Sequence, residues 1–264
     1  MEFCTLFSGS TGNCTYIKIG KEEILVDVGR SMRDITSALE SIDKKISNIT
    51  KIFITHEHSD HILSLGPILR KYKINTYLTN GTYNKAEYRL GEIDKSLIHT
   101  FSYGDELVFD KLKVIPAPIP HDAGEPVCYK FVGSNKKALV ATDIGYVTPL
   151  MEEHIYGCDV ALLESNHDVG MLRDSEYPIY LQERILGKRG HLSNKTASDI
   201  ATKMIKSGTK HLVLGHLSRN NNTPEIAHKQ TCDMLAFNGV IVGQDVNIHI
   251  AKPDQPTELI AVKN

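Results

Sequence analysis

The chain has 264 residues, with 30 Lys and Arg against 32 Asp and Glu and a formal net charge of -2 at pH 7. That length is enough to bury a sizeable core, and a balance so even excludes a surface that is basic as a whole, so any nucleic-acid partner must be met by a local patch. The five cysteines are scattered without a C-x-x-C pair, which argues against a disulfide framework or a thiolate zinc cage.

In chain order the pattern predicts short strands EFCTLF, NCTYIKIG and KEEILVDVG, bounded by Gly, Ser or Asn. A helix over roughly Arg33 to Ile42 follows, then the apolar, β-branched strand Ile49 to Ile54. A helix capped near Ser59 runs through HILSLGPILRKY, ahead of a strand TYLT and a helix around Tyr83 to Leu90. Strands HTFSY, ELVFD, KVIPAPI, VCYKFVG and KALVATD close the first half. The second half alternates a helix near Thr148 to Tyr156, strand DVALLES, helices near Tyr177 to Leu186 and Lys195 to Ser207, strand HLVLGH, helix Pro224 to Phe237, and strands VNIHIA and ELIAV. Many strands with interspersed helices predict an α/β fold in which two packed sheets are covered by helices. No linker, charge block or repeat divides the chain, so one domain over 1–264 is expected. The start MEFCTLFSGS lacks a signal-peptide layout, and no apolar run approaches the roughly 20 residues that cross a bilayer. A soluble, cytoplasmic protein without a membrane partner is expected.

Residues 54–61 read ITHEHSDH, on a turn between a strand and a helix. His56 and His58 leave the strand end together, while Asp60 and His61 open the helix, which gives two pairs of ligands. Imidazole and carboxylate suit zinc or manganese, and each tetrahedral ion needs about four donors. His121, Asp143 and His216 each follow an apolar strand, where the loops at a sheet edge converge. One such residue alone is more often a polar rim group; three of them after the cluster point to a dinuclear site.

The set His56, His58, Asp60, His61, His121, Asp143 and His216 resembles the metal signature of the metallo-β-lactamase superfamily, across essentially the whole chain. The resemblance implies an αββα sandwich of two mixed sheets flanked by helices. It also implies two divalent ions, zinc or manganese: one on His56, His58 and His121, a second on Asp60, His61 and His216, with Asp143 bridging them. The stretches SGSTGNC, LLESNHD, GHLSN and GHLSRNNN are similar to the YycJ/WalJ subgroup, which is associated with 5′-to-3′ exonuclease activity on DNA. RNase Z and RNase J belong to the same resemblance. The short span from Asp143 to His216 leaves no room for the large RNase J insertion, and no tRNA-gripping arm is apparent, which weighs DNA above RNA as the substrate.

Two such ions lower the pKa of a shared water towards neutrality, and Asp60 is expected to orient that water as well as bind metal. The departing alkoxide still needs a proton, worth about 10²–10⁴-fold. Glu164 at a strand end and His191 in GHLSN can meet over the metals, and they match the acid pair of RNase Z; the alternative is that His191 caps the following helix. His167 stays open between orienting, substrate and loop roles. The small, donor-rich loop with Ser8, Ser10 and Asn13 reads as a phosphate nest or an ordinary hairpin turn, and the resemblance favours the nest. Ser218 and Arg219 are expected on the rim, with Arg219 able to fork onto a phosphate. Thr223 before Pro224 reads as an N-cap. Lys188 and Arg189 beside His191 are expected along the track of a polyanion, or at a helix end for its dipole. The competing functions are a thioester or lactone hydrolase on the same metals, an RNA-processing nuclease, and a metal-bound scaffold without turnover.

Overall fold

The computed structural model describes residues 1–133 and 135–262. Strands β1 (Glu2–Phe7), β2 (Cys14–Ile19), β3 (Glu22–Val26), β4 (Lys51–Phe53), β5 (Asn75–Thr79) and β6 (Ile98–Phe101) lie in that order in one sheet. The second sheet runs in order from β7 (Leu107–Phe109) through β8 (Leu112–Pro118), β9 (Val127–Gly133), β10 (Lys136–Ala141), β11 (Val160–Glu164) and β12 (His211–Gly215) to β13 (Asn247–Ile250). The chain then returns as β14 (Ile260–Ala261) to the free edge of β1. Both sheets are mixed: an antiparallel meander gives way to parallel pairing at β3–β4 and again at β10–β11.

Side-chain alternation builds the layers. Val160 and Leu162 of β11 point into a core shared with Phe3, Ile24, Val26 and Phe53 of the facing sheet. Ala161 and Leu163 point the other way, onto α5 (Pro149–Ile155), α8 (Asn194–Lys206) and α9 (Pro224–Phe237). On the far side Leu25 and Ile52 meet α1 (Met32–Glu40), α3 (Leu65–Tyr72) and α4 (Asn80–Leu90). Strands buried on both faces carry unbroken apolar runs such as EILV and VALLE, for the reason that neither face meets water. The result is the α/β fold expected, a four-layer αββα sandwich of two mixed sheets. Phe53 ties the middle layer together, stacked on Tyr77 at 5.0 Å and edge-on to Tyr129 and Phe131 at 5.4 Å; truncating a buried aromatic of this kind costs about 3–5 kcal/mol.

Topology aims the loops. Strands β10, β11 and β12 are parallel, and β8 shares their direction because β9 reverses it twice. Their carboxyl ends therefore lie at one edge of the sandwich, where ligands of open α/β sheets bind.

The helix expected to run on from Ser59 is broken. It forms α2 (Ser59–Ile62), with His58 as N-cap and no side-chain cap, and resumes as α3 after Ser64. The break lies where Ser64 N–H donates to Val28 O and its hydroxyl to Arg30 O, so the loop after β3 is docked there. A short α6 (Val169–Arg173), capped by Asp168, was not expected. Helix α7 (Ile179–Leu186) follows it. Ser193, and not His191, caps α8, while Thr223 caps α9 with Pro224 in its first turn, as its pattern predicts.

Candidate metal centre and catalytic site

Asp27, Asp143 and His216 end or follow strands at φ of 60°, 61° and 54°. Left-handed backbone at a residue other than glycine costs about 1–3 kcal/mol, and here it turns each side chain inward from the strand end. The neighbouring loops are laced by backbone bonds: Asn13 N–H to Asp60 O at 2.8 Å, Gly29 N–H to Asn13 O at 2.9 Å and Val28 N–H to His61 O at 2.8 Å. A Cβ on Gly29 would sit 1.6 Å from the Asp60 carbonyl oxygen, so only glycine allows this approach.

The seven residues expected to hold metal come together. His56 Nε2 lies 3.0 Å from His58 Nδ1, which is 3.4 Å from His121 Nε2. Beside this trio, His61 Nε2 is 3.5 Å from Asp60 Oδ2, and His216 Nε2 is 4.0 Å from the same oxygen. Asp143 stands between the trios, with Oδ2 3.3 Å from His61 Nε2 and Oδ1 3.5 Å from His216 Nε2 and 3.8 Å from His121 Nε2. His56, His61, His121, Asp143 and His216 are buried, whereas His58, Asp60 and His191 are partly exposed at the mouth.

Buried carboxylates set the tautomers. Asp27 Oδ2 lies 2.8 Å from His61 Nδ1, and Glu164 Oε1 lies 2.8 Å from His216 Nδ1. Each therefore accepts a hydrogen bond from Nδ1–H and leaves an Nε2 lone pair turned towards carboxylate oxygens, the His61 Nε2 also lying 3.1 Å from the Asn13 amide nitrogen. Lone pair facing lone pair in a buried site is stable only with a cation between them. His216 Nε2 and Asp143 Oδ2 are buried without a hydrogen-bond partner, so the donor set fits divalent ions. Without metal the site must take up protons. Burial alone would lower the pKa of His216, but Asp143, Asp60 and Glu164 outweigh it and hold it at about 10. Burial would raise Asp143, yet His216 and His61 drive it well below the usual carboxylate range.

Glu164 is a hub. It accepts from the backbone N–H of Asp143 (3.3 Å), Ile144 (2.9 Å) and Leu192 (2.9 Å), and it contacts His191 Nδ1 at 2.8 Å as well as His216. Burial favours its neutral form, but the charges and hydrogen bonds of His191 and His216 lower its pKa to about 2. His191 meets Glu164 through Nδ1, which leaves Nε2 as the ring nitrogen not engaged by that carboxylate.

The remaining expected residues divide. Ser8 is buried, and its hydroxyl accepts from His216 N–H at 2.7 Å. Asn13 is buried and spans Gly9, Asp60 and His61. Both lie beneath the metal ligands, while Ser10 is exposed. Ser218 accepts from Asn221 N–H, and Arg219 is exposed on the rim. His167 is buried, with both ring nitrogens unpartnered, and its backbone bridges to Ser193. Arg189 donates from Nε (3.1 Å) and Nη2 (2.9 Å) to the His121 carbonyl, bracing that loop, while Lys188 is exposed beside it. Sequence reasoning missed Asp27 and Thr55. Thr55 donates from N–H (2.8 Å) and hydroxyl (2.9 Å) to Asp27. The one signal was a carboxylate ending the apolar run EILVD.

Residues 22–217 match the β-lactamase superfamily domain. Over 259 residues, 98% of each chain, the sequence is 38% identical to exodeoxyribonuclease YycJ of Bacillus anthracis. It is 37% identical to exodeoxyribonuclease WalJ of Streptococcus pneumoniae over 263 residues, 99% of this chain and 98% of that one. The chain belongs to the β-lactamase superfamily. Within the superfamily its fold is like that of the metallo-β-lactamase fold protein YhfI from Bacillus subtilis, with TM-score 0.70, 14% identity, and 97% and 98% of the two chains covered. The clusters His56, His58, His121 and Asp60, His61, His216 each have donor atoms close enough to share one ion.

Proposed function

We propose that the chain is a dinuclear metal-dependent phosphodiesterase that degrades DNA from 5′ ends. The observation that carries this reading is Asp143, with one oxygen beside His61 and the other beside His216 and His121. In this reading His56, His58 and His121 hold one ion, Asp60, His61 and His216 the other, and Asp143 both. Nitrogen and carboxylate donors suit zinc or manganese. When bound, the ions supply the Lewis acidity that lets water attack a phosphodiester at neutral pH.

The chain's own groups do the rest. Asp60, partly exposed at the mouth, orients the attacking water. His191 is the group that would hand a proton from Nε2 to the departing alkoxide, and Glu164 holds the ring in place by Nδ1. Asp27, Ser8 and Asn13 position ligands from below. Lys188, Ser10 and Arg219 are exposed to a polyanion and Ser218 is half-buried beside them, while Arg189, also exposed, serves chiefly to hold the His121 loop. Burial of His167 weighs against a substrate contact, and its two unpartnered ring nitrogens give an orienting role no support. The core shared by the two sheets supports one domain over the chain. Among the described residues no helix is long and apolar enough to cross a membrane, and the reading places the protein in the cytoplasm with DNA as its partner.

Similarity to the exodeoxyribonucleases YycJ and WalJ supports DNA over RNA. A thioester or lactone hydrolase on the same metals would have no use for an acid at His191 or a cation at Lys188. Metal-loaded protein assayed on single-stranded and duplex DNA, RNA, thioesters and lactones tests the choice: DNA should be the best substrate. Efficient acyl hydrolysis with DNA left intact would refute it.

A further inference from the structure

Beside His121 a cleft of about 470 Å³ opens onto the surface, lined in part by Tyr103, Ile119, His121, Tyr146, Lys188 and Arg189. Tyr103 comes from the turn after β6 and Tyr146 from the loop directly after Asp143, and they are 44% and 45% exposed. Neither ring belongs to the hydrophobic core, although the Tyr103 hydroxyl donates to Pro126 O at 3.4 Å, and the chain has no Trp and only 7% aromatic residues. Two half-exposed phenol rings and a cation thus share one cleft whose wall includes a metal-ligand histidine. On this rim Asp122 is paired with Arg184 Nε at 2.8 Å and Glu57 with Lys85 Nζ at 3.8 Å, while the Glu125 carboxylate is met by a backbone N–H, that of Gly81 at 2.7 Å. An incoming phosphate is therefore drawn to the end of the cleft that carries Lys188 and Arg189, away from Glu125.

Resting on the nuclease reading above, we propose that this cleft receives the unpaired strand of the DNA, with its bases stacked on Tyr103 and Tyr146 and its phosphates near Lys188. Aromatic platforms along a positive groove bind single strands without reading their sequence, because every base has a π face. The cleft has the volume of pockets that enclose one small molecule, which suits one strand in file and not a paired end. Substrate specificity is then for strand form, and a duplex must fray before its end can reach the metals.

The test combines an enzyme change with a substrate change. Metal-loaded wild type, Tyr103→Ala/Tyr146→Ala and Tyr103→Phe/Tyr146→Phe are given a 5′-phosphorylated single strand, intact or with abasic sites in its first few nucleotides. Removing the bases should raise the wild-type KM about tenfold, in the range for loss of base stacking. The alanine pair should raise KM similarly on the intact strand and show no further penalty on the abasic one, because the two changes remove the same contact. The phenylalanine pair should restore wild-type behaviour, which separates stacking from misfolding. An equal abasic penalty in wild type and alanine pair, or a wild-type KM for the alanine pair on the intact strand, overturns the proposal while leaving a nuclease. A wild type that releases no nucleotide from either strand overturns the nuclease reading, and the proposal with it.

Discussion

Replacing Asp27 with Asn changes one atom and tests how the second metal trio is oriented. The carboxylate accepts Thr55 N–H on Oδ1 at 2.8 Å, and it lies with Oδ2 2.8 Å from His61 Nδ1. If the new amide keeps its oxygen on Thr55 N–H, its NH₂ faces His61 Nδ1. The imidazole proton must then move to Nε2, the atom turned towards Asp60 and Asp143. Losing such an orienting partner typically costs 10–100-fold in metal affinity, about 1.4–2.7 kcal/mol. If the amide flips instead, its NH₂ opposes Thr55 N–H and leaves a buried donor unsatisfied, at about 1–3 kcal/mol of stability. Competition with a chromophoric chelator should therefore show one ion bound nearly as in wild type and the second 10–100-fold more weakly, or else a clear fall in thermal stability. Two ions at wild-type affinity in a protein of wild-type stability would refute the orienting role.

Three other outcomes follow from the same geometry. His191→Ala should keep its metal content, lose about 10²-fold or more on DNA, whose alkoxide leaves poorly, and lose far less on a p-nitrophenyl phosphodiester; equal losses would make His191 a positioning residue. Lys188→Ala should flatten the salt dependence of DNA binding by about 0.7–0.9 in log K against log salt, while Arg189→Ala should instead lower metal affinity through the freed His121 loop; an unchanged slope for Lys188→Ala removes that side chain from the DNA track. Because the apo site holds His216 protonated up to about pH 10, metal must displace that proton, so affinity should rise with pH from neutral towards 10. Calorimetry in buffers of different ionisation enthalpy should show protons released on loading, and a heat independent of buffer would contradict this.

The sandwich was legible because strands buried on both faces write themselves as apolar runs, and because ligands placed after such runs converge when the strands are parallel. His121, Asp143 and His216 were found that way, despite lying far from ITHEHSDH in the chain. Asp27 was not, because a lone carboxylate after EILV has the same appearance as a turn residue until its partner His61 is placed beside it. The loop SGSTGN was legible as a site component while its contacts were not: Ser8 and Asn13 point down to His216 and Asp60, and sequence cannot tell a donor aimed at a ligand from one aimed at a substrate. The break between α2 and α3 also escaped, since it comes from Val28 and Arg30 docking against Ser64 across the fold. Arg189 was grouped with Lys188 by adjacency, and only the three-dimensional path of the His121 loop separates them.

Seven side chains that hold two divalent ions would make this chain a DNA phosphodiesterase. Elemental analysis of the purified protein, followed on the same sample by digestion of DNA labelled at the 5′ or the 3′ end, tests it most directly. The protein should carry two ions per chain and release the 5′ label early as mononucleotide, with the 3′ label appearing last, activity being abolished by chelation and restored by zinc or manganese. A chain that carries two ions and leaves both labels in place would contradict this reading.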